Sequence, residues 1–235
     1  MFKKDKDLEE RSRSLLKNKE IRKFRSEILA SFPLLNEAEI TELIPNKCDL
    51  SVIKLATKTL VYNLDNIPIF YDLLGRNNLF PTIYTLWRYK NCLRKVIIFS
   101  PVSEYLMRGA DLMLPGCKAS NQDFSGLVKG EKVSICVDGN PFPFAVGISE
   151  TSQDCLSLHG MKGKGVSIAH IYGDELWKAG GSLIPNDGFA DSYIYPIEGT
   201  YKSYRKYFQK KKKKINKHAF IYRYCKRFTG RSINK

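Results

Sequence analysis

The chain has 235 residues, 43% of them hydrophobic and 12% aromatic, which is enough for one large or two small cores and excludes a chain disordered throughout. Its formal charge of +15 is unevenly spread: residues 183–235 hold 14 of the 39 Lys/Arg and 3 of the 24 Asp/Glu, leaving 25 against 21 before them. Charge therefore argues for an anionic partner mainly through the C-terminal stretch.

No apolar run reaches the ~18 to 20 residues that span a bilayer, and the opening "MFKKDKDLEERSRS" lacks the apolar segment of a secretory signal. Six cysteines, Cys48, Cys92, Cys117, Cys136, Cys155 and Cys225, stand singly without a zinc spacing. They read as reduced thiols of a cytoplasmic protein, with no metal.

In chain order, the first ~18 residues are charged and poor in apolar groups, so they are expected to be flexible or to fold only against a partner. "EIRKFRSEILASFP" places Ile21, Phe24, Ile28, Leu29 and Phe32 at helical spacing, with Arg22, Lys23 and Arg25 on other faces and Pro33 as the stop. Asn36 followed by Glu39 is a helix cap with its return partner, opening a short helix that ends at Pro45. "LSVIKLATKTLVYNL" and "IPIFYDLL" are rich in β-branched and aromatic residues and predict strands. In "LFPTIYTLWRY" the period returns to that of a helix, with Pro81 in its first turn and Trp87 as a core anchor.

"KVIIFS" predicts a buried strand, and Ser100 and Pro101 open a helix that faces Val102, Tyr105 and Leu106 inward and stops at Gly109. From there the pattern is β: "ADLMLP", "KVSICV", "PFAVGIS" and "VSIAHIY" are short strands, with a turn at "DGNP". This predicts an α+β chain, with a mixed domain at 1–94, a β pseudo-barrel at 95–181 and a basic tail at 182–235, expected to be disordered. Within the tail, "YKSYRKYF" and "FIYRYCKRF" interleave aromatic and basic residues, a pattern that can also stack on RNA bases while neutralising phosphates.

No catalytic constellation emerges. The glycines of "GMKGKG" lead into a strand rather than a helix, "GRNNLFPT" lacks the Lys-Ser/Thr end of a phosphate loop, and His159, His170 and His218 form no motif with a nucleophile. His170, inside an apolar strand, reads as a satisfied structural histidine, and Asp174 with Glu175 as a helix start. A binding module without a cofactor, rather than an enzyme, is expected.

The ordered segments "GADLMLPG", "VKGEKVSI", "PFAVGIS" and "KGKGVSIAHIYGDELW" resemble a PUA domain, a small RNA-binding pseudo-barrel. With "RKFRSEILASFP", "ITELIPNK", "VIKL" and "LFPTIYTLW" before them, the first 182 or so residues resemble the N-terminal part of the family of eukaryotic translation initiation factor 2D (ligatin). The shorter malignant T-cell amplified sequence proteins are also similar. The resemblance implies a cytoplasmic factor that binds the small ribosomal subunit through its first domain and the acceptor end of a tRNA through its PUA domain, in initiation, reinitiation or recycling. The winged-helix and SUI-type domains of factor 2D have no counterpart here. That implies a density-regulated-type partner supplying them, or a longer parent chain.

On this footing Arg108, Gly109, Ala110 and Asp111, with Lys162 and Lys164, form the expected RNA-facing edge, where backbone amides and basic groups meet phosphates. Leu112, Met113 and Leu114 are expected in the core. Lys3, Lys4, Arg22, Lys23 and Arg25 are the candidate ribosomal contacts. Two other functions fit the same composition: a targeting subunit for RNA modification, or a basic anchor acting on membrane or RNA through the tail.

Overall fold

The computed structural model describes residues 2–119, 124–189, 193, 194, 196 and 197. After a short 3-10 turn at Asp5–Leu8 come strand β1 (Glu10–Leu15), helices α1 (Asn18–Ser31) and α2 (Glu37–Leu43), and strands β2 (Leu50–Leu55), β3 (Leu60–Leu64), β4 (Ile67–Asp72) and β5 (Leu79–Pro81). Helix α3 (Ile83–Arg88), strand β6 (Arg94–Ile98), helix α4 (Ser100–Met107) and the two-residue strand β7 (Leu112–Met113) follow. Strands β8 (Lys132–Val137) and β9 (Ala145–Ser149), helix α5 (Gln153–His159), strand β10 (Lys164–Ile171) and helix α6 (Glu175–Ala179) complete the order.

Two five-stranded sheets result, β1-β2-β3-β4-β5 and β6-β8-β9-β10-β7. The first is an antiparallel meander. Its β3–β4 turn uses Asp65 and Asn66, both at positive φ (50° and 65°), the conformation that matches the twist of a two-residue hairpin. Helix α1 lays Phe24 flat on Tyr62 (4.0 Å), and Phe32 just past its end packs against Phe70 (5.7 Å), covering one face of the meander. Asn36 and Glu39 exchange the reciprocal bonds of a capping box at the start of α2, as their spacing predicts. The second sheet pairs β6 with β8 in parallel and is otherwise antiparallel, giving the curled sheet expected of a PUA-like unit.

The sheets meet through named contacts. The Trp87 indole donates to the Pro143 carbonyl (2.7 Å), and the Tyr84 hydroxyl donates to the Trp177 carbonyl (2.5 Å). The Lys132 ammonium lies over the ring of Phe80 (4.8 Å), an attraction that strengthens where water is excluded. Cys92, Cys117 and Cys136 are buried, and burial pushes their thiols up to about 12, which leaves them protonated packing groups.

Several sequence expectations fail for physical reasons. The first ~18 residues are not wholly flexible: β1 adds to the edge of β2, and Phe2 is buried. Pro81 ends strand β5 instead of opening a helix, which the sheet tolerates because β5 is an edge. Tyr105 and Met113 point outward, at 62% and 51% exposure, because Leu106 and Leu112 take the inward positions beside them.

The expectation of disorder from residue 182 fails for the described residues 182–189, 194 and 197. Phe189 and Ile194 are buried, Ser100 donates to the Ile194 carbonyl, and the Ile197 amide donates to Gly139. Residues 198–235, with "KKKKK" and the aromatic-basic segments, lie outside the described residues.

Candidate nucleic-acid interface

Helix α4 ends in two reverse bonds: the Gly109 amide donates to Leu106 and the Ala110 amide to Tyr105. This is the Schellman arrangement, and it places Gly109 at φ +99°, where a side chain would be strained. The glycine is thus required by the helix stop. The same bonds consume both amides, so the expectation that backbone N–H groups at 109 and 110 meet phosphates is corrected. The groups left at this edge that could meet an anion are side-chain cations.

Those cations differ in their commitments. Arg108 pairs with Glu104 one turn back on α4 (2.5 Å), and Lys164 on β10 pairs with Asp111 (2.7 Å). Asp111 also accepts from the Ile168 amide (3.0 Å), which ties the turn after α4 to β10. Burial works upward on the Asp111 carboxyl, but the bonds from Lys164 and Ile168 outweigh it and hold the group below the usual carboxylate range. Asp111 is therefore a tether: its charge would repel a phosphate, and its bonds run inward. Lys162 is exposed on the loop leading into β10, and Gly163 beside it accepts from the Leu114 amide (2.8 Å).

The candidates from the first domain separate. Lys3 does not lie with the α1 cations: its ammonium donates to the Gly109 carbonyl (3.3 Å). Lys4 is exposed in the next position, and both backbone amides donate to the Asp7 carboxylate (2.9 and 3.0 Å). Arg22 and Lys23 are exposed on α1, Lys23 with a loose partner in Glu27 (3.5 Å). Arg25 turns inward: its guanidinium donates to Asn46 (2.7 Å) and to the Ile44 carbonyl at the end of α2. That bond satisfies a carbonyl left open by the helix terminus, so Arg25 serves the packing of α1 on α2.

Sequence reasoning missed the cluster behind this edge. His170 is fully buried; its Nδ1 bonds to Asp174 (2.7 Å), whereas its Nε2 has no partner among the described residues. Its ring meets Tyr71 and Phe2 edge-on, at 5.8 and 6.1 Å. His170 and Asp174 were each marked by the sequence, but His170 is only half satisfied, because its Nε2 lies against apolar and aromatic neighbours, and the part played by Phe2 was not legible. Among the described residues no His/Cys/Asp/Glu group could hold a metal ion, and no helix is long and apolar enough to cross a membrane.

Comparison with known proteins follows the same division. The family model for a Pre-PUA-like domain matches residues 2–89, and that described as "elF2D, PUA domain" matches residues 93–175. Eukaryotic translation initiation factor 2D of Mus musculus is 36% identical over 205 residues, 82% of this chain and 36% of the relative. Translation machinery-associated protein 20 of Saccharomyces cerevisiae is 25% identical over 181 residues, 75% of this chain and 97% of that protein. A conserved PUA domain protein from Thermoplasma acidophilum shares the fold at 22% identity, with a TM-score of 0.52 over 72% of this chain and 99% of its own. The chain thus spans about a third of the factor 2D relatives it matches.

Proposed function

Since a pre-PUA domain followed by a factor 2D-type PUA domain places the chain in the family of eukaryotic translation initiation factor 2D, we propose that it is a non-enzymatic, cytoplasmic, RNA-binding translation factor. In this reading it binds the small ribosomal subunit through the exposed α1 residues Arg22 and Lys23. The edge around Gly109 takes the acceptor end of a tRNA, with Arg108, Lys162 and Lys164 as the cations. The work would lie in initiation, reinitiation or recycling, with a density-regulated-type protein as a partner. The observation that carries the reading is the identity to factor 2D across both domains at once, 36% over 205 residues.

The edge makes a prediction that a generic basic surface does not. Asp111→Asn keeps an oxygen to accept from the Ile168 amide but removes the charge that holds Lys164. With Lys164 no longer held by a carboxylate, tRNA binding should tighten several-fold and remain steeply salt-dependent. Fluorescence anisotropy of labelled tRNA across a salt series measures both. Weakened binding would mean that Asp111 contacts RNA directly, and failure of the wild-type chain to bind tRNA would overturn the reading.

A further inference from the structure

We propose that the N-terminal segment is part of the RNA interface: Lys3, seated on Gly109, supplies a cation from the first domain, so that one RNA phosphate at this edge is held by both domains together. The inference rests on the reading of the Gly109 edge as an RNA site and deepens it, because Lys3 otherwise groups by sequence with the basic face of α1.

Anchoring comes first. Phe2 is 4% exposed and packs edge-on against Tyr71 of β4 (5.4 Å) and His170 of β10 (6.1 Å), one ring from each sheet. Its carbonyl accepts from the Glu175 amide at the start of α6 (2.9 Å). The backbone of Lys3 is then held by Asp7 (2.9 Å). With its neighbours pinned on both sides, the Lys3 side chain has a short reach to the end of α4.

The contact itself is close. A Cβ on Gly109 would lie 2.9 Å from the Lys3 ammonium, the flexible end of that side chain, so the lysine sits directly over this glycine while the helix stop is what requires it. An ammonium carries three donors, and the Gly109 carbonyl takes one. Two remain for an anion.

Charge bookkeeping separates Lys3 from Arg108 and Lys164; Lys162, exposed on its loop, is likewise without an ion pair among the described residues. Arg108 is paired with Glu104 and Lys164 with Asp111, so each must surrender a carboxylate before it serves a phosphate. Lys3 forms no ion pair among the described residues; it feels Asp111 only at a distance, as a weak contributor to that carboxyl's low pKa. A cation that gives up only a carbonyl contact loses less on meeting a phosphate than one that breaks an ion pair.

The test uses the full chain and labelled tRNA in a salt series, comparing wild type with Lys3→Met, Lys3→Arg and Lys4→Met. Lys4→Met removes the same net charge one residue away, without touching Gly109. The expected result is that Lys3→Met weakens binding several-fold and flattens the salt slope by about 0.7 to 0.9, that Lys3→Arg restores it, and that Lys4→Met changes it far less, all with unchanged thermal unfolding. If wild type binds and Lys3→Met behaves as Lys4→Met does, the inference is wrong while the RNA reading stands. If wild type binds no tRNA, the reading falls and the inference with it.

Discussion

Trp87→Ala lowers the unfolding free energy by about 3–5 kcal/mol, the range for deleting a large buried aromatic ring. The indole is 2% exposed, meets Tyr84 and Phe189 edge-on at 5.3 and 5.7 Å, and donates to the Pro143 carbonyl. Those partners come from α3, from the segment after α6 and from the loop before β9, so no single element can collapse into the space left. At about 2–4 °C per kcal/mol for a chain of this size, the midpoint of thermal unfolding should fall by on the order of 10 °C. Trp87→Phe keeps most of the apolar volume but leaves that carbonyl without its donor, and should cost roughly half as much. A loss below about 1 kcal/mol for the alanine variant would mean that the two sheets are held together elsewhere.

Asp174→Ala should be comparably damaging, by about 3–5 kcal/mol, for an electrostatic reason. The carboxylate is nearly buried and collects three donors: His170 Nδ1 at 2.7 Å, the Ile171 amide at 3.1 Å and the Trp177 amide at 3.0 Å. Through them it caps α6 and orients a histidine that has no second partner among the described residues. Alanine leaves the three donors without an acceptor in a place that water reaches poorly. Asp174→Asn retains one acceptor oxygen and should recover part of the loss. Urea unfolding of the three proteins checks this order, and an alanine variant as stable as wild type would contradict it.

What could be read from the sequence was what local chemistry determines. The Asn36–Glu39 box, the stop at Gly109, the Trp87 anchor and the α+β class followed from spacing and residue type, and the likeness to factor 2D from ordered motifs. Long-range pairing escaped it. The residues of β1 are all exposed and have no alternating pattern, because an edge strand gains its place from ladder bonds to β2 rather than from burial. Phe2 reads as an isolated aromatic until Tyr71 and His170, far along the chain, are brought around it.

At the candidate site the residue types were legible and their commitments were not. Nothing in "RGADLMLPG" reveals that Asp111 is spent on Lys164 and Ile168, or that the Gly109 and Ala110 amides close the helix. Arg25 carried the same charge signal as Arg22 and Lys23, yet its guanidinium is spent on Asn46 and Ile44.

The central claim is that the folded residues, not the basic tail, carry a specific contact with the translation machinery. Its most direct test is co-sedimentation of purified small ribosomal subunits with the full chain, with a chain lacking residues 199–235, and with an Arg22→Glu, Lys23→Glu variant, at near-physiological salt. The cut falls after residue 198 because Phe189, Ile194 and Ile197 contact the fold, and Arg25 is left intact because it braces α2. The account predicts that the shortened chain still sediments with the subunit and that the double variant does not. Binding that disappears with residues 199–235 and ignores the α1 charges would contradict it.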